Sequence, residues 1–95
     1  MKVVSKQKEY IAIKVNFSAE FFIQVGKYLR EDQYVIKVEN DVRQRFTSNE
    51  LFLKFNDREI KVEKGFYILL DVVDKNIAYV SEDVYKSDYL ELKED

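Results

Sequence analysis

Residues 61–73 read Lys61-Val62-Glu63-Lys64-Gly65-Phe66-Tyr67-Ile68-Leu69-Leu70-Asp71-Val72-Val73, and they join the longest apolar run of the chain to one of its two glycines. Gly65 can supply the positive φ that a tight turn requires. The run after it is apolar at both alternating sets of positions: Phe66, Ile68, Leu70 and Val72 in one, Tyr67, Leu69 and Val73 in the other. This pattern predicts a turn followed by a strand that is buried on both faces.

The composition predicts one small domain spanning residues 1–95. The 95 residues are 46% hydrophobic and 15% aromatic, which is enough apolar material for a core. The formal net charge is −2, with both signs mixed along the chain. Such a balance creates no global field to attract nucleic acid or an anionic membrane. We therefore expect no direct nucleic-acid binding and no membrane association, and any anion site must be local.

The chain contains no cysteine and no histidine. Thiolate metal sites, thiol nucleophiles and the commonest general base are therefore excluded. We expect a protein that is not an enzyme, with no catalytic residues, no metal and no cofactor. The basic start at residues 1–8 is followed by alternation instead of an apolar core, so no signal peptide is expected. No apolar run approaches the ~20 residues of a membrane span, and this favours the cytoplasm.

The first third of the chain predicts a strand over residues 8–17 and a helix over residues 19–30. Ser18 stands where a helix N-cap belongs, and Phe17 is placed to pack on Phe22 as a hydrophobic staple. Gly26 interrupts the helical pattern, and we expect it to allow close approach of the helix to a sheet.

A second strand is predicted over residues 34–38, a loop over residues 39–50 and antiparallel strands over residues 51–92. Asn56-Asp57 and residues 74–76 are predicted turns, and Ser81 is predicted to cap a short helical turn. The result is an α+β fold in β-α-β-β-β-β-β order, with one helix packed on a curled, barrel-like antiparallel sheet and a helical turn near the C-terminus.

The candidate ligand site lies in the predicted loop. Arg43 and Arg45 carry guanidinium groups that bind phosphate, Phe46 offers a ring for stacking a base, and Asn49 adds a polar group. A solvated loop with one aromatic ring in the core explains the same residues. Two further sets leave a structural and a binding interpretation open: the tyrosines Tyr67, Tyr79, Tyr85 and Tyr89, and the acidic residues Glu82, Asp83, Asp88, Glu91, Glu94 and Asp95.

The stretch from Ile60 to Ile68, with Ile77-Ala78-Tyr79-Val80 and Val84 to Tyr89, resembles a group of small phage and prophage proteins. Their pattern is a lysine or proline, a glycine, an aromatic strand, a hairpin, a second aromatic strand, a helical turn and a final tyrosine. The start from Lys8 to Val15 is also similar to theirs. The resemblance implies a mobile-element origin and a role in binding and neutralising a host component. It assigns no functional residue.

Three functions remain open at this point. The first is a phage counter-defence protein in the host cytosol that sequesters a small nucleotide-type immune signal through the loop residues. The second is an inhibitor that binds a host defence protein, such as a CRISPR-type protein, directly. The third is a minor structural or regulatory phage component. A homo-oligomer is expected because small sheets leave strand edges free, and a dimer is the default.

Overall fold

The computed structural model describes the backbone of residues 2–5, 8–41 and 46–91, and the side chains of residues 8–37 and 50–89. The strands and helices, in chain order, are β1 (Lys2–Ser5), β2 (Lys8–Lys14), α1 (Ala19–Tyr28), β3 (Tyr34–Asp41), β4 (Phe46–Phe55), β5 (Arg58–Lys61), β6 (Tyr67–Asp71), β7 (Ile77–Val80), α2 (Glu82–Asp88) and β8 (Leu90–Glu91). A short 3-10 turn, Glu31–Gln33, precedes β3. The fold is α+β, as predicted.

The chain groups into two units. One comprises Met1–Tyr28 and Glu63–Asp95, and the other comprises Leu29–Val62. The single domain expected for residues 1–95 stays a prediction.

The first unit contains a five-stranded antiparallel sheet in the order β7-β6-β2-β1-β8. β7 and β8 form its edges, and no pairing in the described part of the chain joins them. The sheet is therefore open and is not closed into a barrel. β1 was not predicted, and β2 ends at Lys14 instead of residue 17.

Strand β6 lies inside this sheet between β2 and β7, and its predicted burial on both faces is confirmed for Tyr67–Asp71. All five of its residues are buried, and it pairs with β2 on one side and β7 on the other. Val72 and Val73, which were predicted to continue the strand, lie in the turn that follows it, and Val73 is exposed.

The turn before β6 contains Gly65 at φ 93, a conformation that residues with a side chain rarely adopt. The N–H of Gly65 donates to the Val15 carbonyl and the N–H of Val15 donates to the Phe66 carbonyl, each at a distance of 2.9 Å. These two bonds continue the β2–β6 contact beyond the strands.

A turn built on the Asp71 carboxylate connects β6 to β7. One carboxylate oxygen accepts the N–H of Val73 at 2.8 Å and the N–H of Asp74 at 3.3 Å. Lys8 lies 3.7 Å from the other oxygen. Within this turn Lys75 has φ 64, which lets the chain turn without a glycine. The predicted turn over residues 74–76 is confirmed.

Helix α1 begins as the sequence predicts. The Ser18 hydroxyl accepts the N–H of Phe21 at 3.1 Å, and the rings of Phe17 and Phe22 lie 6.3 Å apart. Phe17 has φ 55, a left-handed conformation that costs about 1–2 kcal/mol. Its edge contact with the ring of Phe21, 5.7 Å between centroids, contributes about 0.5–1.5 kcal/mol and offsets most of that cost. α1 contacts β2 and buries Phe21 and Val25.

The helix ends at Tyr28, two residues before the predicted end. In the 3-10 turn that follows, the Gln33 side chain accepts the N–H of Arg30 at 2.9 Å, and the N–H of Gln33 donates to the Arg30 carbonyl over the same distance. These local bonds replace those that a longer helix would make.

The expected role of Gly26 is wrong. A Cβ built on Gly26 meets no described heavy atom within 4 Å, and the residue is exposed. Gly26 therefore does not allow close approach of α1 to the sheet. Its cost to the helix is not compensated by packing among the described residues.

The second unit contains a three-stranded antiparallel sheet in the order β3-β4-β5. The loop predicted over residues 39–50 is largely strand, because β3 continues to Asp41 and β4 begins at Phe46. The register runs without a break from Tyr34↔Leu53 to Asp41↔Phe46. Backbone pairing overrides the weak strand propensity of Glu39 and Asn40 here. The Asn56-Asp57 turn joins β4 to β5, as predicted.

No helix in the described part of the chain combines the length and hydropathy that crossing a membrane requires.

Replacing Gly26 by alanine should stabilise the isolated chain, at low protein concentration, by about 0.5–1 kcal/mol, because the added methyl group meets open space within the chain and alanine loses less backbone entropy. The matched change Gly65→Ala should destabilise by about 1 kcal/mol or more, since its φ of 93 is strained for alanine. Urea unfolding of both variants measures this. A loss of stability in Gly26→Ala would show that this position packs against something.

Stability should fall on acidification through the titration of Asp71. The N–H of Val73, helped by the N–H of Asp74 and by Lys8, lowers the pKa of Asp71 from its ordinary 3.8 against the opposing effect of burial. Because the pKa of Asp71 is lower in the folded state, the ionised carboxylate stabilises the fold at pH values above the pKa of the unfolded state. This stability is lost as the pH falls through the pKa of the folded state.

In urea unfolding as a function of pH, Asp71→Asn should be less stable than wild type at pH 7, and its stability should fall less between neutral pH and pH values below about 4. Asp57→Asn, in the exposed turn, is the control and should follow wild type. Parallel pH curves for wild type and Asp71→Asn would refute this role.

Candidate functional site

Two of the four predicted ligand residues, Arg43 and Arg45, lie outside the described residues. Phe46 and Asn49 belong to strand β4, where their backbones pair with Asp41 and Val38. The side chains of Phe46 and Asn49 also lie outside the described part. Phe46 and Asn49 therefore belong to a strand of the β3–β4 hairpin and not to a loop of twelve residues.

The sheet of the second unit has one buried face and one polar face. Leu51 and Leu53 of β4 are fully buried, whereas Glu50, Phe52 and Lys54 alternate with them. The register places neighbours from β3 and β5 beside Phe52 on the same face. We call this surface the Phe52 face; it consists of Val35, Lys37, Glu50, Phe52, Lys54, Glu59 and Lys61.

Phe52 is the centre of that face. Its ring is half-buried, and the Lys37 ammonium lies 4.3 Å from the ring centroid. Lys61 is the direct cross-strand neighbour of Phe52, and its ammonium is 3.0 Å from the Glu50 carboxylate. Three lysines and two glutamates share the face, so it carries an excess of one positive charge.

This arrangement has the chemistry of a weak anion and ring site. An aromatic ring on a sheet surface can stack a base, and lysines at its edge can contact phosphate oxygens. Lys37 occupies the ring in the free protein, where an exposed cation–π contact contributes about 0.5–1 kcal/mol. A base that displaces Lys37 must therefore contribute more than this to bind.

The first unit has a cavity of about 250 Å³ beside Gly65, lined by Lys64, Gly65, Phe66, Ser81, Glu82 and Asp83. Phe66 stacks on Tyr79 with the ring centroids 4.9 Å apart, and the Tyr79 hydroxyl accepts the N–H of Glu63 at 2.7 Å. Burial raises the pKa of Tyr79 above its ordinary 10.0. The Ser81 hydroxyl accepts the N–H of Val84, as the predicted cap requires. The contacts of Tyr79 and Ser81 are structural, since both hydroxyls already have partners within the chain.

The C-terminal tyrosines divide between core and edge. Tyr67 and Tyr85 are buried and stack with their centroids 3.8 Å apart, which holds α2 on the sheet. Tyr89 continues the stack at 6.2 Å from Tyr85 and meets the edge of the Tyr10 ring at 5.5 Å. Burial raises the pKa of Tyr89. The core interpretation of Tyr67 and Tyr85 is confirmed.

A second cavity, of about 200 Å³, lies where β2 leads into α1. Lys14, Asn16, Glu20 and Gln24 provide its polar lining. The Asn16 side-chain oxygen accepts the N–H of Ser18 at 3.1 Å and its hydroxyl at 2.8 Å. Because Asn16 is committed to the turn before α1, the cavity has less free polar capacity than its lining suggests.

Neither cavity contains a metal site. No group of three or more acidic side chains in the described ranges is arranged to hold a cation.

Comparison with known proteins adds no relative. No protein-family model, no curated protein and no solved structure matches this chain. Function must therefore be argued from the residues of the chain itself.

The Phe52 face was not predicted from the sequence. The signal was present in the alternation of β4, where Phe52 stands between Glu50 and Lys54 and is out of phase with Leu51 and Leu53. An aromatic residue at a polar position of a strand is more informative than one at an apolar position, because core packing does not require it.

The contact between Lys37 and Phe52 should appear as a coupling energy. In a double-mutant cycle of Lys37→Gln and Phe52→Leu, measured by urea unfolding, we expect about 0.5–1 kcal/mol. The matched cycle of Lys54→Gln with Phe52→Leu should give a coupling close to zero. Equal coupling in both cycles would mean that no specific Lys37 contact exists.

Proposed function

We propose that this chain is a non-enzymatic phage counter-defence protein that acts in the host cytoplasm by sequestering a small nucleotide-type signal. The observation that carries the proposal is the half-buried Phe52 ring with Lys37 4.3 Å above it and Lys61 beside it. Sequestration requires tight binding and no bond-breaking step, so it suits a chain without histidine or cysteine.

Binding would exchange one partner of the ring for another. The base of the ligand stacks on Phe52, and Lys37 moves from the ring to a phosphate oxygen. Base stacking on an aromatic side chain contributes about 1–3 kcal/mol, more than the exposed cation–π contact that it replaces. The displaced ammonium gains a phosphate partner, so its contribution is retained.

Strand geometry sets the length of the ligand. Phe46 is six residues before Phe52 in β4, a separation of about 20 Å at 3.3 Å per residue. A single nucleotide on Phe52 is too short to reach the end of β4 at Phe46. A ligand that engages Arg43 and Arg45 as well as Phe52 therefore contains two or more nucleotides.

Thermal unfolding with a panel of mononucleotides, dinucleotides and cyclic oligonucleotides tests the proposal. A ligand present at 100 times its Kd stabilises the folded state by about 2.7 kcal/mol. For a chain of this size, that raises Tm by on the order of 10 °C or more. No shift with any member of the panel would contradict sequestration and leave two functions, direct inhibition of a host protein and a structural or regulatory role.

Variants then separate the two parts of the site. Phe52→Leu and Lys37→Gln should remove the Tm shift for every ligand that binds. Arg43→Ala combined with Arg45→Ala should weaken only ligands of two or more nucleotides. Arg58→Gln removes an exposed positive charge elsewhere in the same sheet and should leave the shift unchanged. If Phe52→Leu binds as wild type, the Phe52 face is not the site.

A further inference from the structure

Helix α1 has a second apolar side, of which only Phe22 is partly covered by the described residues. Ala19, Phe22, Ile23 and Gly26 follow the i, i+3, i+4, i+7 spacing of one helix side, which we call the outer stripe. The buried residues Phe21 and Val25 lie on the other side. Ile23 is 68% exposed, and Ala19 and Gly26 are also exposed. An amphipathic helix that packs on one sheet needs only one apolar side.

Two residues of this region have backbone conformations that cost free energy, and Gly26 has no compensating contact among the described residues. Gly26 weakens the helix, and the space beside it is open. Phe17 has a left-handed conformation, is 37% exposed and extends the outer stripe through its contact with Phe22. A small residue at Gly26 leaves room for the backbone of a second helix to approach closely.

The charged residues beside the stripe would pair with those of a second copy related by a two-fold axis. Glu20 stands three residues before Ile23 and Lys27 four residues after it, both on the same side of the stripe and both exposed. Neither forms an ion pair with another residue in the described ranges. When two copies of α1 cross in antiparallel orientation near Ile23, Glu20 of each copy comes within reach of Lys27 of the other.

We propose that the outer stripe is the interface of a symmetric dimer, with α1 of one copy packed antiparallel on α1 of a second copy. Phe22 and Ile23 lie at the centre of the contact, and Ala19 of one helix lies opposite Gly26 of the other. The paired opposite charges select a second copy of this chain over a membrane surface, which would favour basic residues alone on the flanks. This interface is independent of the Phe52 face.

Sedimentation equilibrium of the wild-type chain over a range of concentrations should show the mass of two chains at the upper end. Ile23→Glu should raise the dimer dissociation constant at least tenfold, since it places a charge in the centre of an apolar contact. Because Ile23 is exposed, the urea midpoint of the monomeric Ile23→Glu variant should not be lower than that of the wild type. Val73→Glu is the matched control: the residue is 88% exposed in the β6–β7 turn, and the variant should remain dimeric.

Charge exchange tests the antiparallel arrangement itself. Glu20→Lys and Lys27→Glu should each weaken the dimer, because each places like charges together. The double variant restores opposite charges across the two-fold axis and should return the dissociation constant to within a few-fold of wild type. A monomeric wild type, an Ile23→Glu variant that dimerises normally, or a double variant as weak as the single ones would each overturn the proposal.

Discussion

The constraint on which the first unit depends is the complete burial of strand β6. Its five residues have no solvent-facing side, and both of its edges are paired. Every polar group of such a strand must find a partner inside the protein. Asp71, the one charged residue of β6, meets this requirement by accepting the N–H groups of the next turn and by its proximity to Lys8. At the other end of β6, the turn at Gly65 places the N–H of Gly65 and the carbonyl of Phe66 opposite Val15, which follows β2, so that both backbone groups are hydrogen-bonded.

Covering β6 also accounts for the tyrosines near the C-terminus. Tyr67 and Leu69 would be exposed on one face of the sheet without α2, and Tyr85 supplies the flat surface that covers them. Stacked aromatic pairs contribute about 0.5–1.5 kcal/mol beyond the area they bury. The buried rings of Tyr67 and Tyr85 are therefore accounted for by stability. The second unit differs, because its Phe52 ring lies among charged residues on the polar side of a sheet.

The local order of elements could be predicted where the sequence carries a strong signal. The glycine before β6, the apolar run of β6 and the serine caps of both helices each fix a backbone conformation within a few residues. The full length of the β3–β4 hairpin could not be predicted, because its outer pairs include polar residues such as Glu39↔Ser48 and Asn40↔Thr47. These residues have weak strand propensity and pair because they continue the backbone ladder of the inner pairs. Gly26 shows the opposite case: a helix glycine suggests close packing, but its neighbourhood depends on tertiary structure and is open.

The sequence indicated which residue types form the candidate site, an aromatic ring beside basic residues, but not which positions in the chain supply them. Arginine beside an aromatic residue is typical of phosphate sites and indicated the predicted loop, whereas Phe52 lies in a segment that the sequence predicts only as a strand. Only the register shows that Lys37 and Lys61 come from two other strands to the same ring. Lys37 and Lys61 are within 15 residues of Phe52 in sequence, but their contacts with it depend on the register of the strands. The alternation of one strand does not specify which residues of a neighbouring strand lie beside it.

The central claim is that ligand binding takes place at Phe52. Amide and aromatic-ring NMR spectra recorded during titration with the nucleotide panel test it most directly, because they locate the contact without any substitution. We expect the ring signals of Phe52 and the amide signals of residues 37, 50–54 and 61 to shift together and to saturate with one ligand. Unchanged spectra with every ligand, or shifts centred on the cavity beside Gly65, would contradict the claim.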